Sequence, residues 1–436
     1  MTRRRGMAGG TWRDVGGDRM DDAHEDIGRR VHRLRTARGL TQRDLAEPNY
    51  TAGYVSSVES GRRTPSGDAL RHFAARLGVS EDELALGRPV DPAIELEFAL
   101  VEAMATGTGL AAVAEHAATL GDTRRQAWAL LASGEAGHLD TAARLLAGEP
   151  LPDRIPLILA RADRATTEYA IHLLEEAREE LSAAGHLDPD ARYAVHSGLA
   201  ARYLQAGADD RAAEAADEAL ALAGPGDPVT VGAGHLATAR ALLAARRVTD
   251  TAVALGQARS AYRRAALLPA LAACFRARGR RLKTTGDLTS AAADLTRARQ
   301  LYGDAEEALD VSVDLAEVHR RQGHHAAARA LLLASLTDHP LPQTAPPADP
   351  AGAPPLYVVR AYRELGLVAL DEGDEAEAET RLRDAVTLAA RRNARHELAR
   401  AVDTLGTLLT TQNRMSDATE ALRTGLLHLE RILHAE

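Results

Sequence analysis

A chain of 436 residues that is 45% hydrophobic but only 3% aromatic carries its apolar content on alanine and leucine, the residues of closely packed helices. It is too long for one helical core, so two domains or an extended repeat array are expected. Net charge is −9, yet residues 27–79 hold ten arginines against four acids, +6, which leaves −15 for the rest and excludes a uniformly cationic molecule.

The one cysteine, Cys274, rules out an internal disulfide and a cysteine-based zinc site, and suits a reducing compartment. No apolar run approaches the roughly 18 residues that span a bilayer. The opening MTRRRGMAGG has charge without an apolar segment behind it, so it is not a secretion signal, and a soluble cytosolic protein is expected. Residues 1–25 are rich in Gly, Arg and Asp without apolar periodicity and read as a disordered tail. Arg3, Arg4 and Arg5 are either an arm for a minor groove or a solvated stretch.

Order begins at residue 26. IGRRVHRLRTARG places Ile27, Val31 and Leu34 on one helical face among five arginines. The stretch LTQRDLAEPNYTAGYVSSVESGRRTPS from Leu40 to Ser66 then holds two short helices. Thr41 caps the first, with Asp44 at its third position, and Thr51 caps the second, which runs to about Ser60 and stops at Gly61. Leu45, Ala46, Val55 and Val58 pack the two helices at a steep angle and leave Ala52, Gly53, Tyr54, Ser56 and Ser57 outside. That is a helix-turn-helix whose second helix is placed to enter a major groove. Leu70, Phe73, Ala74 and Leu77 form another stripe, and Ser80 with Glu83 starts a fifth helix.

The geometry assigns roles. Gln42 opens the first short helix, where an amide and free backbone N–H groups meet a phosphate. Thr51, Ala52 and Gly53 begin the recognition helix. Ala52 and Gly53 cannot donate to a base edge, so they permit close backbone approach or contact with a thymine methyl, and Tyr54, Ser56 and Ser57 supply the side-chain contacts. Glu59 holds an arginine or the following loop, and Arg62 and Arg63 point to the DNA backbone.

Five helices in some sixty residues, the two central ones shortest, resemble the Cro/C1-type (Xre) helix-turn-helix family. The likeness rests on Leu34, Arg38, Gly39, Thr41, Gln42, Leu45, Ala46, Tyr54, Val55, Ser56, Glu59, Gly61, Arg62, Pro65, Leu70, Leu77, Gly78, Val79 and Leu84. It covers residues 26–87. The connection from Glu47 to Tyr50 departs from the family pattern by being one residue shorter and by containing Pro48.

After a hinge at residues 88–95 the chain becomes helical and self-similar to its end, residues 96–436. A small-residue helix, a turn bearing Gly or Asp, and a helix with alanines at spacing three or four recur from Leu199, Arg281, Leu315, Leu365 and Leu405, and more weakly elsewhere, as in LLAARRVTDTAVALGQARSAY. From turn to turn, Gly286 to Gly323 is 37 residues, Gly373 to Asn413 is 40, and Gly207 to Gly286 is 79, two repeats. A 50-residue interval from Gly323 to Gly373 accommodates a Pro/Ala-rich loop at 337–355. The fold class expected is therefore all-α: a five-helix reading domain followed by an α-solenoid of about eight helix pairs. The turn glycine, the Asp after it and the alanines resemble tetratricopeptide repeats.

No catalytic constellation is present and no cofactor or metal is expected. HELAR at His396 has Arg400 where a zinc protease motif has its second histidine, His324 and His325 are adjacent in a turn, and GPGDP at Gly224 lacks the strand and Lys-Ser/Thr of a phosphate cradle.

A helix-turn-helix joined to tetratricopeptide repeats is similar to the peptide-sensing bacterial regulators. The resemblance implies a homodimer bound to operator DNA, with a peptide or small-molecule effector in the repeats. Those regulators commonly clamp peptide backbone with asparagines, and this chain has only Asn49, Asn393 and Asn413. His196, Arg202, Tyr203, His319, Arg320, Tyr362 and Arg363 are the inner-helix candidates instead. Two other readings stay open: a DNA-tethered protein whose repeats dock another protein, and a ligand-independent dimeric repressor. A closed arginine-lined pocket would mark a sensor, and a flat apolar inner face a docking platform.

Overall fold

The structure, a computed structural model, describes residues 27–87, 91–185, 188–245, 247–337 and 354–434, which contain twenty-three α-helices and no strand. The tail with its three arginines, most of the Pro/Ala-rich loop and residues 88–90 of the hinge lie outside them. The protein is all-α, a helix-turn-helix followed by an α-solenoid, and it divides into two units.

The first unit comprises residues up to Ser133 together with Val229–Ala261. It opens with five helices, α1 (Ile27–Ala37), α2 (Gln42–Ala46), α3 (Ala52–Glu59), α4 (Gly67–Leu77) and α5 (Glu81–Leu86). The starts of α2 to α5 follow from local chemistry. Thr41 accepts from the Asp44 N–H while Asp44 accepts from the Thr41 N–H, and Thr51, Ser66 and Ser80 each accept a backbone N–H three residues on. Val31, Leu45, Val55, Val58, Phe73 and Leu77 meet in one core, with Ile27, Leu34 and Leu70 packed at its edge. At six residues α5 is shorter than α3, so the two central helices are not the shortest pair.

Next come α6 (Pro92–Thr106), α7 (Leu110–Leu120) and α8 (Thr123–Ala132), packed around Leu96, Leu100, Val113 and Trp128. Asp91 caps α6 with Pro92 as its first residue, so residues 92–95 of the expected hinge are already helix. Also in this unit is most of a hairpin, α14 (Pro228–Ala244) and α15 (Val248–Ala266). It is tied to α6 and α8 by charge: Arg240 pairs with Glu102, Arg259 with Glu97, and the Arg259 guanidinium lies 4.7 Å from the Trp128 ring centroid.

The second unit, Gly134–Pro228 with Tyr262–Glu436, is the solenoid. After the short α9 (Leu139–Leu145), helix pairs follow: α10 (Leu151–Ala162) with α11 (Thr167–Ala183), and α12 (Pro189–Gln205) with α13 (Asp209–Leu222). The series continues with α16 (Leu268–Thr285) and α17 (Leu288–Tyr302), then α18 (Glu306–Arg321) and α19 (His325–Ser335). It closes with α20 (Leu356–Glu372) and α21 (Glu375–Arg392), then α22 (Arg395–Thr411) and α23 (Met415–His434).

Two of the turns share one local code. Gly286 and Gly373 end a helix in the left-handed region, at φ +93° and +83°, and the next residue, Asp287 or Asp374, accepts the N–H three residues on to start its partner. Asn393 and Asn413, two of the three asparagines, take the same left-handed positions at φ +58°. Within a pair the helices touch at glycine: a Cβ on Gly279 would lie 2.9 Å from Leu295 Cγ, and one on Gly366 would lie 2.8 Å from Leu382 Cγ. In both pairs the glycine precedes its leucine by sixteen residues, so the contact is a feature of the repeat.

The interval from Gly207 to Gly286 corrects the repeat count. It does not contain two stacked pairs: α16 packs directly on α12 and α13. Most of α14 and α15, Val229–Ala261, whose sequence has the helix-pair period, falls in the first unit instead. Periodicity reports a helix pair, and only the apolar faces of its neighbours determine which pair it stacks on.

Candidate nucleic-acid interface and repeat groove

The recognition helix is held from behind. A Cβ on Gly28 would overlap the Val58 carbonyl oxygen, so glycine is what lets α1 lie against the last turn of α3. Glu59, ending α3, accepts from Arg35 Nε at 2.6 Å, Arg35 Nη2 at 3.1 Å and Gln42 Nε2 at 2.7 Å, and lies 3.2 Å from His32 Nδ1. Burial pushes its carboxyl up, but the bonds from Arg35, Gln42 and His32 outweigh that and hold it below the usual carboxylate range. Glu59 therefore has the structural role its position implied, and it joins α1, α2 and α3 in one network.

The sites expected to face DNA divide. Thr51, Gly53, Arg62 and Arg63 are exposed, and Ala52, Ser56 and Ser57 half-exposed, at the start and along the outer face of α3 and in the loop after it. Ser57 Oγ donates to the Gly53 carbonyl at 2.8 Å, which turns its lone pairs outward. Arg62 Nε donates to Ser60 Oγ at 3.0 Å, and the Arg63 guanidinium sits 4.9 Å from the Tyr54 ring centroid. Tyr54 differs from expectation. Its ring is half-buried, stacked on Tyr50 at 5.1 Å and facing Phe73 at 6.2 Å, because the aromatic cluster offers it more apolar surface than the helix exterior does. The amide of Gln42 is engaged by Glu59.

Sequence reasoning missed the interior arginines. Arg30, 1% exposed, donates to the Leu84 carbonyl at 2.8 Å and the Ala85 carbonyl at 2.7 Å, tying α1 to the end of α5. With Arg35 it is two of the ten arginines counted as a basic patch, and both point inward. Arg30 follows Ile27 by three residues and precedes Leu34 by four, which puts it on the apolar face of α1, and that spacing was the available signal.

In the solenoid the first helices of successive pairs, α10, α12, α16, α18, α20 and α22, line a groove of about 970 Å³. Seven acids and six bases line it, so it is close to neutral and unsuited to a polyanion. Along α16, Leu267, Ala270 and Ala273 are followed by Arg276, Arg280 and Lys283 at helical spacing, so one stripe changes from apolar to basic.

An ion ring occupies the middle. Asp314, 0% exposed, accepts from Arg276 Nε at 2.9 Å, Arg280 Nε at 3.1 Å and Arg360 Nη2, with Lys283 Nζ at 4.0 Å. Asp310 accepts from Arg276 Nη2 and Arg360 Nη1, each at 2.5 Å. Burial pushes the Asp314 carboxyl up, but Arg280, Arg360, Arg276 and Lys283 together hold it well below the carboxylate range. Each carboxylate thus bridges an arginine of α16 to one of α20.

Of the seven ligand candidates, only Arg202 lines this groove, paired with Asp163 at 2.5 Å. Tyr203 is buried; its hydroxyl donates to Glu175, and burial together with that bond pushes it up to about 12. Tyr362 is core, between α20 and its neighbours. His196 is half-buried, and burial lowers its pKa. His319 lies 3.2 Å from Gln322 Oε1 at a turn, Arg320 pairs with Glu364 and Asp371, and Arg363 is buried against Glu364 and Glu397. The other six sit on α12, α18 and α20, helices that do line the groove, but on other faces of them, because sequence periodicity does not say which neighbour each helix stacks on.

Among the described residues no group of three or more His, Cys, Asp or Glu side chains is arranged to hold a metal ion, and no helix is long and apolar enough to cross a membrane.

Residues 26–86 match the helix-turn-helix domain family. An uncharacterized HTH-type transcriptional regulator, y4dJ of Sinorhizobium fredii, is 41% identical over 64 residues, which are 14% of this chain and 83% of that protein. Among solved structures, a Rap protein complexed with competence and sporulation factor is similar over 94% of this chain and 99% of its own, at 10% identity and a TM-score of 0.37. Bacillus thuringiensis PlcR in complex with the peptide PapR7 and DNA is similar over 69% of this chain and 99% of its own, at 17% identity and a TM-score of 0.19.

Proposed function

The chain belongs to the helix-turn-helix transcriptional regulators and is a DNA-binding protein; from that premise we propose that it is a homodimer that reads a specific operator and senses a small ligand or peptide in its repeat groove. The observation that carries the DNA part is the exposed start of α3, with Arg62 and Arg63 exposed in the loop that follows. Ala52 and Gly53 let the helix backbone approach the bases, Thr51, Ser56 and Ser57 present hydroxyls to base edges, and the backbone N–H of Gln42 at the start of α2, with Arg62 and Arg63, meets phosphates. Tyr54 contributes its edge and positions Arg63. Residues 26–87 are the reading domain and residues 96–436 the sensing region.

The sensing part is supported by the groove, which is walled by charged side chains rather than being a flat apolar platform. The exposed Leu422, Leu426 and Leu427 on α23 support pairing with a second copy. Occupation of the groove would shift operator affinity by favouring one arrangement of the two reading heads.

Footprinting of the purified protein on its own upstream region, at two salt concentrations, tests the reading. A protected palindrome whose protection falls steeply with salt is the expected result. Weak, sequence-blind protection at both concentrations would refute specific operator binding.

A further inference from the structure

We propose that Arg276 and Arg360 form a binding fork for the carboxylate of a small aliphatic-tailed ligand, and that Asp310 occupies this fork as an internal substitute until the ligand displaces it. This rests on the reading of the groove as a sensor site and names what it takes.

Three observations carry it. First, the two aspartates of the ring are not equivalent. Asp314 is 0% exposed and anchors both arginines through Arg276 Nε and Arg360 Nη2, whereas the Asp310 side chain is 30% exposed and lines the groove. Taking Asp310 away leaves both guanidinium groups held by Asp314, with Arg276 Nη2 and Arg360 Nη1 still directed at one point. Second, those two nitrogens each lie 2.5 Å from a different oxygen of the same carboxylate, the geometry in which one planar anion bridges two guanidinium groups. Third, an apolar strip of the groove leads up to the fork. Ala273, Ala270 and Leu267 precede Arg276 along the α16 stripe, Leu356 stands one turn before Arg360 on α20 and is 42% exposed, and Tyr302 adds a ring. A ligand that brings its own carboxylate exchanges one ion pair for another and buries its tail, while Asp310 swings to solvent. A ligand without a carboxylate has no anion to exchange for Asp310 and so does not displace it from the fork.

The shared chemistry, a carboxylate on an aliphatic chain, has two sources, a fatty acid and the C-terminus of an apolar peptide. Calorimetric titration of the full chain with octanoate and with N-acetyl-leucyl-leucine distinguishes them, with 1-octanol and the C-terminal amide of the dipeptide as matched controls. We expect at least one acid to bind and its uncharged control not to bind. We expect D310N, and D310A as a second route, to bind that acid at least tenfold more tightly, and R360M to lose it. Circular dichroism melting confirms that each variant is folded.

An acid and its control that bind equally would overturn the assignment, as would D310N and D310A no tighter than wild type, or no binding of either acid to folded wild type and variants. The sensing reading fails separately: an acid that saturates the fork and leaves the operator footprint unchanged keeps the fork and removes its regulatory role.

Discussion

Replacing Asp314 with asparagine removes the one fully buried carboxylate that α16, α18 and α20 share. In the native cluster Arg276, Arg280, Lys283 and Arg360 face Asp310, Asp314 and Glu317, four cations against three anions. The substitution leaves four against two, with three guanidinium groups that had Asp314 within 3.1 Å. Breaking a buried pair by deleting one partner costs about 3–5 kcal/mol, because the remaining charge stays desolvated.

Asp310, in the same ring but 30% exposed, is the internal control, and its asparagine variant is expected to cost only about 1 kcal/mol. Urea unfolding followed by circular dichroism measures both at neutral pH. The sign with pH follows from a folded pKa below the unfolded one: Asp314 contributes fully above about pH 3.8, and its contribution is lost as pH falls from there toward the folded value. The difference between wild type and D314N should therefore shrink on acidification below pH 3.8. Equal costs for the two asparagine variants at neutral pH, or a D314N cost under about 1 kcal/mol, would refute the view that burial makes Asp314 the anchor and leaves Asp310 exchangeable.

Gly28→Ala should destabilise the reading head by at least about 1–3 kcal/mol and abolish operator protection, since its methyl would meet the Val58 carbonyl; unchanged amide exchange in α3 would contradict this. Arg62→Ala and Arg63→Ala should each weaken DNA binding about equally across sequences and lower the slope of log affinity against log salt by about one; a change confined to one sequence would show base contact instead. Burial lowers the His196 pKa from 6.5, so the unfolded chain takes up its proton first and stability should fall as pH drops below about 6.5 until the folded value is passed. His196→Gln should flatten that part of the stability–pH profile, and an unchanged profile would exclude His196 as its source.

The caps and turns of this protein were legible from the sequence because their chemistry closes within four residues. Thr41 with Asp44, Thr51 before α3, and Gly286 or Gly373 followed by Asp each satisfy backbone groups of their own helix end, so the same residues dictate the same geometry wherever the chain goes. The apolar stripes of α1 and α4 were legible for the same reason, and with them the helix-turn-helix and the run of helix pairs. The stacking order was not. The α14/α15 hairpin has the period of its neighbours, yet α16 packs on α12 and α13, because periodicity specifies an apolar face without specifying its partner.

Nor was the groove. Arg276 meets Asp310 and Asp314 at separations of 34 and 38 residues, and Arg360 reaches them across 50 and 46. A charged stripe on a helix reads equally as a solvated face until stacked helices remove the water around it. Arg30 and Arg35 were counted as surface charge for that reason, while burial by α5 and by Glu59 put them inside. Charge sign and helical phase belong to the sequence; desolvation, which decides whether a charge attracts DNA, anchors a helix or binds a ligand, belongs to the tertiary structure alone.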